Sequence, residues 1–80
     1  MAKKKQQNII KVKAPKTGST YFFLFAGSIM EGTLCNKHEK LSNLYGHTWY
    51  SLSRIDGGRE VKYPVSIYNI ANSYDELRNY

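Results

Sequence analysis

Six lysines and no acid occupy the first sixteen residues: Lys3, Lys4, Lys5, Lys11, Lys13 and Lys16. The chemistry open to such a run is neutralisation of phosphates. Lysine is a compact point charge, better suited to positioning on a polyanion than to reading base edges. Further along, Trp49 offers a ring on which a base could stack. Arg54, Arg59 and Lys62 follow it closely enough in sequence to share a surface. Together these ten side chains are the candidate nucleic-acid-contacting set.

Other spacings suggest less. Cys35-x-x-His38 with His47 has the start of a zinc site, but a fourth ligand is lacking unless Glu39 serves. Cys35 beside His38 could also be a nucleophile and base, with no third group to orient them. Asp75 and Glu76 fit the first turn of a helix without any catalytic role. The glycines at 27, 32, 46, 57 and 58 match neither nucleotide-binding fingerprint. No metal, cofactor or catalytic residue is therefore expected, and the chain reads as a non-catalytic binding module.

From Thr17 to Tyr80 the charges balance. Lys37, Lys40, Arg54, Arg59, Lys62 and Arg78 stand against Glu31, Glu39, Asp56, Glu60, Asp75 and Glu76. The net charge of +6 thus belongs to the N-terminal arm. Eighty residues make one domain. A chain of that size buries only about 60% of its unfolded surface, so its core is thin. Seven Tyr, three Phe and one Trp compensate, since each ring buries a large area. The single cysteine excludes an internal disulfide. The N-terminus lacks the apolar stretch of a signal peptide, and Tyr21 to Ala26 is too short to span a membrane. A cytoplasmic protein with no membrane contact is expected.

The elements that must position these side chains read mainly as strands. Residues 1–7 have no periodicity and are expected to form a disordered basic arm. Asn8 to Lys13 alternates, with Ile10 and Val12 on one face, as a strand would. Thr20 to Ala26 is continuously apolar, so both faces should be covered or the strand should bend. Gly27 reads as a kink, with the strand continuing through Ser28 to Cys35 and a second bend at Gly32. The 36–46 stretch has room for a helical turn around Glu39, Lys40, Leu41 and Leu44.

Thr48 to Ile55 is the next strand, and Asp56-Gly57 the expected hairpin turn. That register sets Leu52 against Val61 and Tyr50 against Tyr63, which makes both tyrosines core. Trp49 then faces the other way, with Ser51, Ser53 and Lys62. Pro64 marks an edge or a strand end, and Val65 to Tyr68 a further short strand. Ser73-x-x-Glu76 is a capping box for a helix carrying Leu77 to the body.

Trp49-Tyr50-Ser51-Leu52, then Ile55-Asp56-Gly57-Gly58 and Val61-Lys62-Tyr63-Pro64-Val65, resembles Tudor-type and other SH3-like barrels over about a third of the chain. The resemblance implies a binding module and names no ligand. A small SH3-like barrel of about five strands is expected over residues 8–80, an OB-like barrel being the alternative, with a short C-terminal helix. The expected function is nucleic-acid binding, DNA or RNA undetermined, through the lysine arm and barrel surface. The competing expectation is a protein-interaction module, such as a phage or mobile-element product that blocks a host enzyme. Exposed edges and a thin core favour self-association, a homodimer being its simplest form.

Overall fold

The computed structural model describes residues 9–78. The fold is mainly β. Five antiparallel strands form one sheet: β1 (Thr20–Phe25), β2 (Ser28–Lys37), β3 (Trp49–Asp56), β4 (Arg59–Ser66) and β5 (Ile70–Ala71). Helix α1 (Glu39–Tyr45) joins β2 to β3, a 3-10 turn (Ile67–Asn69) joins β4 to β5, and helix α2 (Tyr74–Arg78) follows. The strand order is β4-β3-β2-β1-β5. The first four strands are a meander, and the fifth returns beside the first.

Alternation puts Tyr21 and Phe23 of β1, Leu34 of β2, Leu52 of β3, Val65 of β4 and Ile70 of β5 into one buried cluster. The sheet curls strongly around it. Tyr63 of β4 packs on Phe23 and Phe25 of β1 at centroid distances of 5.6 and 5.0 Å, although two strands lie between them. The opposite face of β1 is covered as its continuous apolar sequence demands. There α2 packs on β1 and β5, with Leu77 buried and Tyr74 edge-on to Phe22. The Ser73 hydroxyl donates to Glu76 Oε2 at 3.1 Å, a side-chain contact between the two residues of the expected capping box in place of its side-chain-to-backbone bonds.

β2 serves two neighbours. Residues 28–33 pair with β1 and residues 33–37 with β3. The exchange falls at Gly32, where a Cβ would sit 2.6 Å from the Ser53 carbonyl oxygen and 3.0 Å from the Phe23 ring. The bend expected at Gly32 is thus a close backbone approach that only glycine permits.

Four expectations need correction. Residues 11–14 are bends rather than a strand: Val12 is buried, but Ile10 is exposed. Pro15, which cannot donate to a ladder, ends the stretch before it can pair. Gly27 is not a kink. Ala26 and Gly27 both take positive φ, 51° and 83°, and make a two-residue turn that closes Phe25 on Ser28. Alanine in that conformation hides the signal, because such turns usually announce themselves with Asn or Asp.

The second hairpin turns on Gly57-Gly58, at φ 65° and 82°, and not on Asp56-Gly57. The turn type needs positive φ at both central residues, which two glycines adopt without a Cβ penalty. Leu52 therefore faces Tyr63, Tyr50 faces Val65 and Arg54 faces Val61. The slip is two residues, so every side chain keeps its face. Finally, the strand expected over 65–68 is split: Val65 and Ser66 end β4, and Ile67 to Tyr68 enter the 3-10 turn. Pro64 does lie in an edge strand, opposite Ser51. The proposed 1–7 arm lies outside the described residues.

Candidate nucleic-acid interface

The basic segment lies on the folded body. Val12, 8% exposed, belongs to the core cluster and anchors the stretch between Ile9 and Lys16. From that anchor Lys11 Nζ donates to the Tyr68 carbonyl at 2.8 Å and to its near neighbour Ile9 at 3.1 Å. On the other side the Lys16 amide donates to the Tyr21 hydroxyl at 2.8 Å. Lys13 and Lys16 are exposed. Tyr21 in turn lies close enough to Tyr50 to influence its titration. Burial pushes the Tyr50 phenol up, and the Tyr21 phenol adds to the rise. Lys37 pairs across the sheet with the same Tyr50. Lys11 thus reaches the 3-10 turn, and Lys37 stands beside Tyr50 in the sheet.

The first residues of β3 carry rings. α1 begins at its cap His38, whose Nδ1 accepts from the Leu41 amide, and ends at Gly46, left-handed at φ 77°. The reversal delivers Tyr45, His47 and Trp49 to one place. Ser42 fastens helix to strand, its hydroxyl accepting from the Trp49 amide at 2.8 Å. Tyr45 stacks on Trp49 at 5.1 Å and 27°. His47 lies 5.9 Å from Trp49 and 4.8 Å from Tyr68, tilted 33° and 42°. The four rings therefore make a short strip that begins as a triangle, Tyr45, Trp49 and His47 lying 5.1, 5.9 and 6.4 Å apart, and continues through His47 to Tyr68, whose carbonyl holds Lys11.

The strip has a firm base. Buried Ser66 caps the 3-10 turn by accepting from the Tyr68 amide at 3.2 Å, and its hydroxyl lies 2.9 Å from His47 Nε2. One donor is left over: Trp49 Nε1 is buried with no hydrogen-bond partner among the described residues. An unmade buried bond costs about 1–3 kcal/mol.

The remaining candidates divide. Trp49 does face away from the core, as the alternation predicts, but it is half-buried against Tyr45 rather than bare. Lys62 shares its face of the ribbon, opposite Ser53. Arg54 and Arg59 are on the other face, at the hairpin tip. There Arg54 Nη1 reaches Met30 Sδ at 3.2 Å and Asp56 Oδ2 at 3.5 Å, and Arg59 pairs in register with Asp56. The ten candidates do not make one surface. Lys11 and Trp49 come together through Tyr68 and His47, Lys13 and Lys16 are exposed on the neighbouring segment, Arg54 and Arg59 stand apart, and Lys3, Lys4 and Lys5 lie outside the described residues.

Where β3 leaves β2 a polar cleft of about 460 Å3 opens between Thr20, Glu31, Ser53, Arg54 and Glu60. The residues once weighed for metal or nucleophilic chemistry have other work. His38 caps α1, His47 meets Ser66, and Cys35 Sγ points to the Thr33 carbonyl. Among the described residues no group of three His, Cys, Asp or Glu is placed to hold a metal ion. Nor is any helix among them long and apolar enough to cross a membrane.

No protein-family model matches the chain, and neither a curated protein nor a solved structure shows significant similarity to it.

Tyr45, His47 and Tyr68 were not among the candidate contacts. The spacing of Tyr45, His47 and Trp49, every second residue, was a visible signal for the first two. Tyr68 had none, because only the 3-10 turn brings it beside His47.

Proposed function

We propose that this chain is a small SH3-like barrel that binds nucleic acid without catalysing a reaction. Support for the barrel comes from the sheet order, the return of β5 beside β1, and the contact of Tyr63 with Phe23 and Phe25 across the interior. The nucleic-acid reading rests on one observation. The lysine-rich segment is anchored by Val12 and Lys11 against the same end of β3 that carries the ring strip. A near-neutral body with a remote basic tail would have no such surface. Here cations and aromatic faces adjoin, the combination that holds a phosphate backbone and its bases.

The test is fluorescence polarisation with a labelled oligonucleotide at several salt concentrations, on the whole chain. Submicromolar binding that weakens steeply with salt is expected. No binding at low salt would remove the reading.

The second reading, a protein-interaction module that inhibits a host protein, also has an observation behind it. β4 is an edge strand whose backbone could accept an added strand up to Pro64. It predicts a complex insensitive to salt. The same edge is where a homodimer would form.

A further inference from the structure

We infer that the strip Tyr45–Trp49–His47–Tyr68 is a base-stacking platform, so that the ligand is a single-stranded rather than a duplex nucleic acid. The inference rests on the nucleic-acid reading and narrows it. Three observations carry it.

The first is ring orientation. Tyr45 stacks on Trp49 at 5.1 Å and 27°, so these two rings cover one face of each other and the exposed side of Tyr45 is its outer face. A base stacks on a face, and an unpaired base is free to turn onto one. A duplex keeps its faces buried in its own stack.

The second is exposure. Tyr45 is 57% exposed although one side of it rests on Trp49. Its neighbour Leu44 is 69% exposed. Core packing does not account for rings left this open on a body short of apolar area.

The third is charge. Lys11 sits at the Tyr68 end of the strip, its Nζ on the Tyr68 carbonyl. The acids Asp56 and Glu60 belong to the far end of the β3–β4 ribbon, and α1, which carries Tyr45, has Glu39 followed by Lys40 in its first turn. A strand lying along the strip would place bases on rings and phosphates on lysines.

Polarisation with matched single-stranded and duplex oligonucleotides is the experiment, on wild type, Tyr45→Ala, Tyr45→Phe and Trp49→Phe. Thermal unfolding of each variant provides the control. Tyr45→Ala should weaken single-strand binding roughly tenfold with the salt slope unchanged, because a stacking ring is lost and no cation is. Tyr45→Phe should bind as wild type does. Trp49→Phe should lose a few-fold in affinity, because a smaller ring remains for the base. The single tryptophan gives a second readout, since stacking near it should change its fluorescence on binding.

Equal binding of single strand and duplex, with Tyr45→Ala inert, would overturn this inference and leave the nucleic-acid reading standing. No binding of either oligonucleotide would overturn both. Binding of a protein partner lost on Tyr45→Ala, with oligonucleotides inert, would reassign the strip to protein recognition.

Discussion

The two ends of the β3–β4 ribbon obey the same alternation and end up with opposite characters. At the hairpin tip, Arg54, Asp56, Arg59 and Glu60 lie side by side and Tyr63 donates to Asp56 at 2.9 Å. Opposite charges there answer one another, and exposed Ile55 has no ring beside it. At the other end Trp49 meets Tyr45 from α1, and His47 meets Tyr68 from the 3-10 turn. Lys11 reaches that end from the N-terminal segment. The ribbon itself does not decide this. What separates the ends is that connecting elements converge on one and leave the other in water.

The largest effect should come from the charge of the N-terminal lysines. Replacing Lys3, Lys4, Lys5, Lys13 and Lys16 with Gln should weaken oligonucleotide binding by on the order of 100-fold at low salt and flatten the salt dependence. Arg54→Gln with Arg59→Gln at the tip should change it by less than about threefold, since Arg54 is paired with Asp56 and both lie on the ribbon face opposite Trp49. Substitution is the right tool. Deleting the segment would also remove Val12 from the core.

Stability should divide the ends in the same direction. Ser66→Ala leaves His47 and the Tyr68 amide without their shared buried partner, and should cost about 1–3 kcal/mol in thermal or urea unfolding. Tyr63→Phe at the tip removes only an exposed hydroxyl contact and should cost less than about 0.5 kcal/mol. Equal losses would mean that the ring end is no better built than the tip.

At the turn itself, Gly58→Ala forces a Cβ into left-handed backbone at φ 82°. It should destabilise by about 1 kcal/mol and leave oligonucleotide affinity untouched. A matching loss of affinity would show that the tip takes part in binding.

The smallest effect concerns pH. The Tyr50 phenol titrates above its ordinary value because it is buried. Its contribution to stability is therefore complete below the unfolded-state value and is lost as pH rises through the raised folded value. Tyr50→Phe should accordingly make unfolding less sensitive to alkali above about pH 10, read by circular dichroism, with no change near neutrality.

Much of the strand pattern was legible because it depends on neighbours along the chain. The apolar run at Thr20, the alternation from Thr48 and the capping box at Ser73 each name their element locally. Two turns were not legible for a local reason too: Ala26 occupies a conformation alanine seldom takes, and Gly57-Gly58 competed with an Asp-Gly pair one residue earlier. The site was legible in its parts and not in its assembly. Lysines and Trp49 could be picked out by type. That Val12 anchors the lysines beside Tyr68, and that Arg54 turns to Met30 instead, depends on contacts between residues far apart in sequence.

The most direct measurement is a titration of the isotope-labelled whole chain with a single-stranded oligonucleotide, followed by amide and ring chemical shifts in NMR spectra. The account predicts shifts concentrated at Lys11, Lys13, Lys16, Tyr45, His47, Trp49 and Tyr68, with Arg54 to Lys62 unmoved. Shifts centred on the hairpin tip or the β4 edge, or none anywhere, would contradict it.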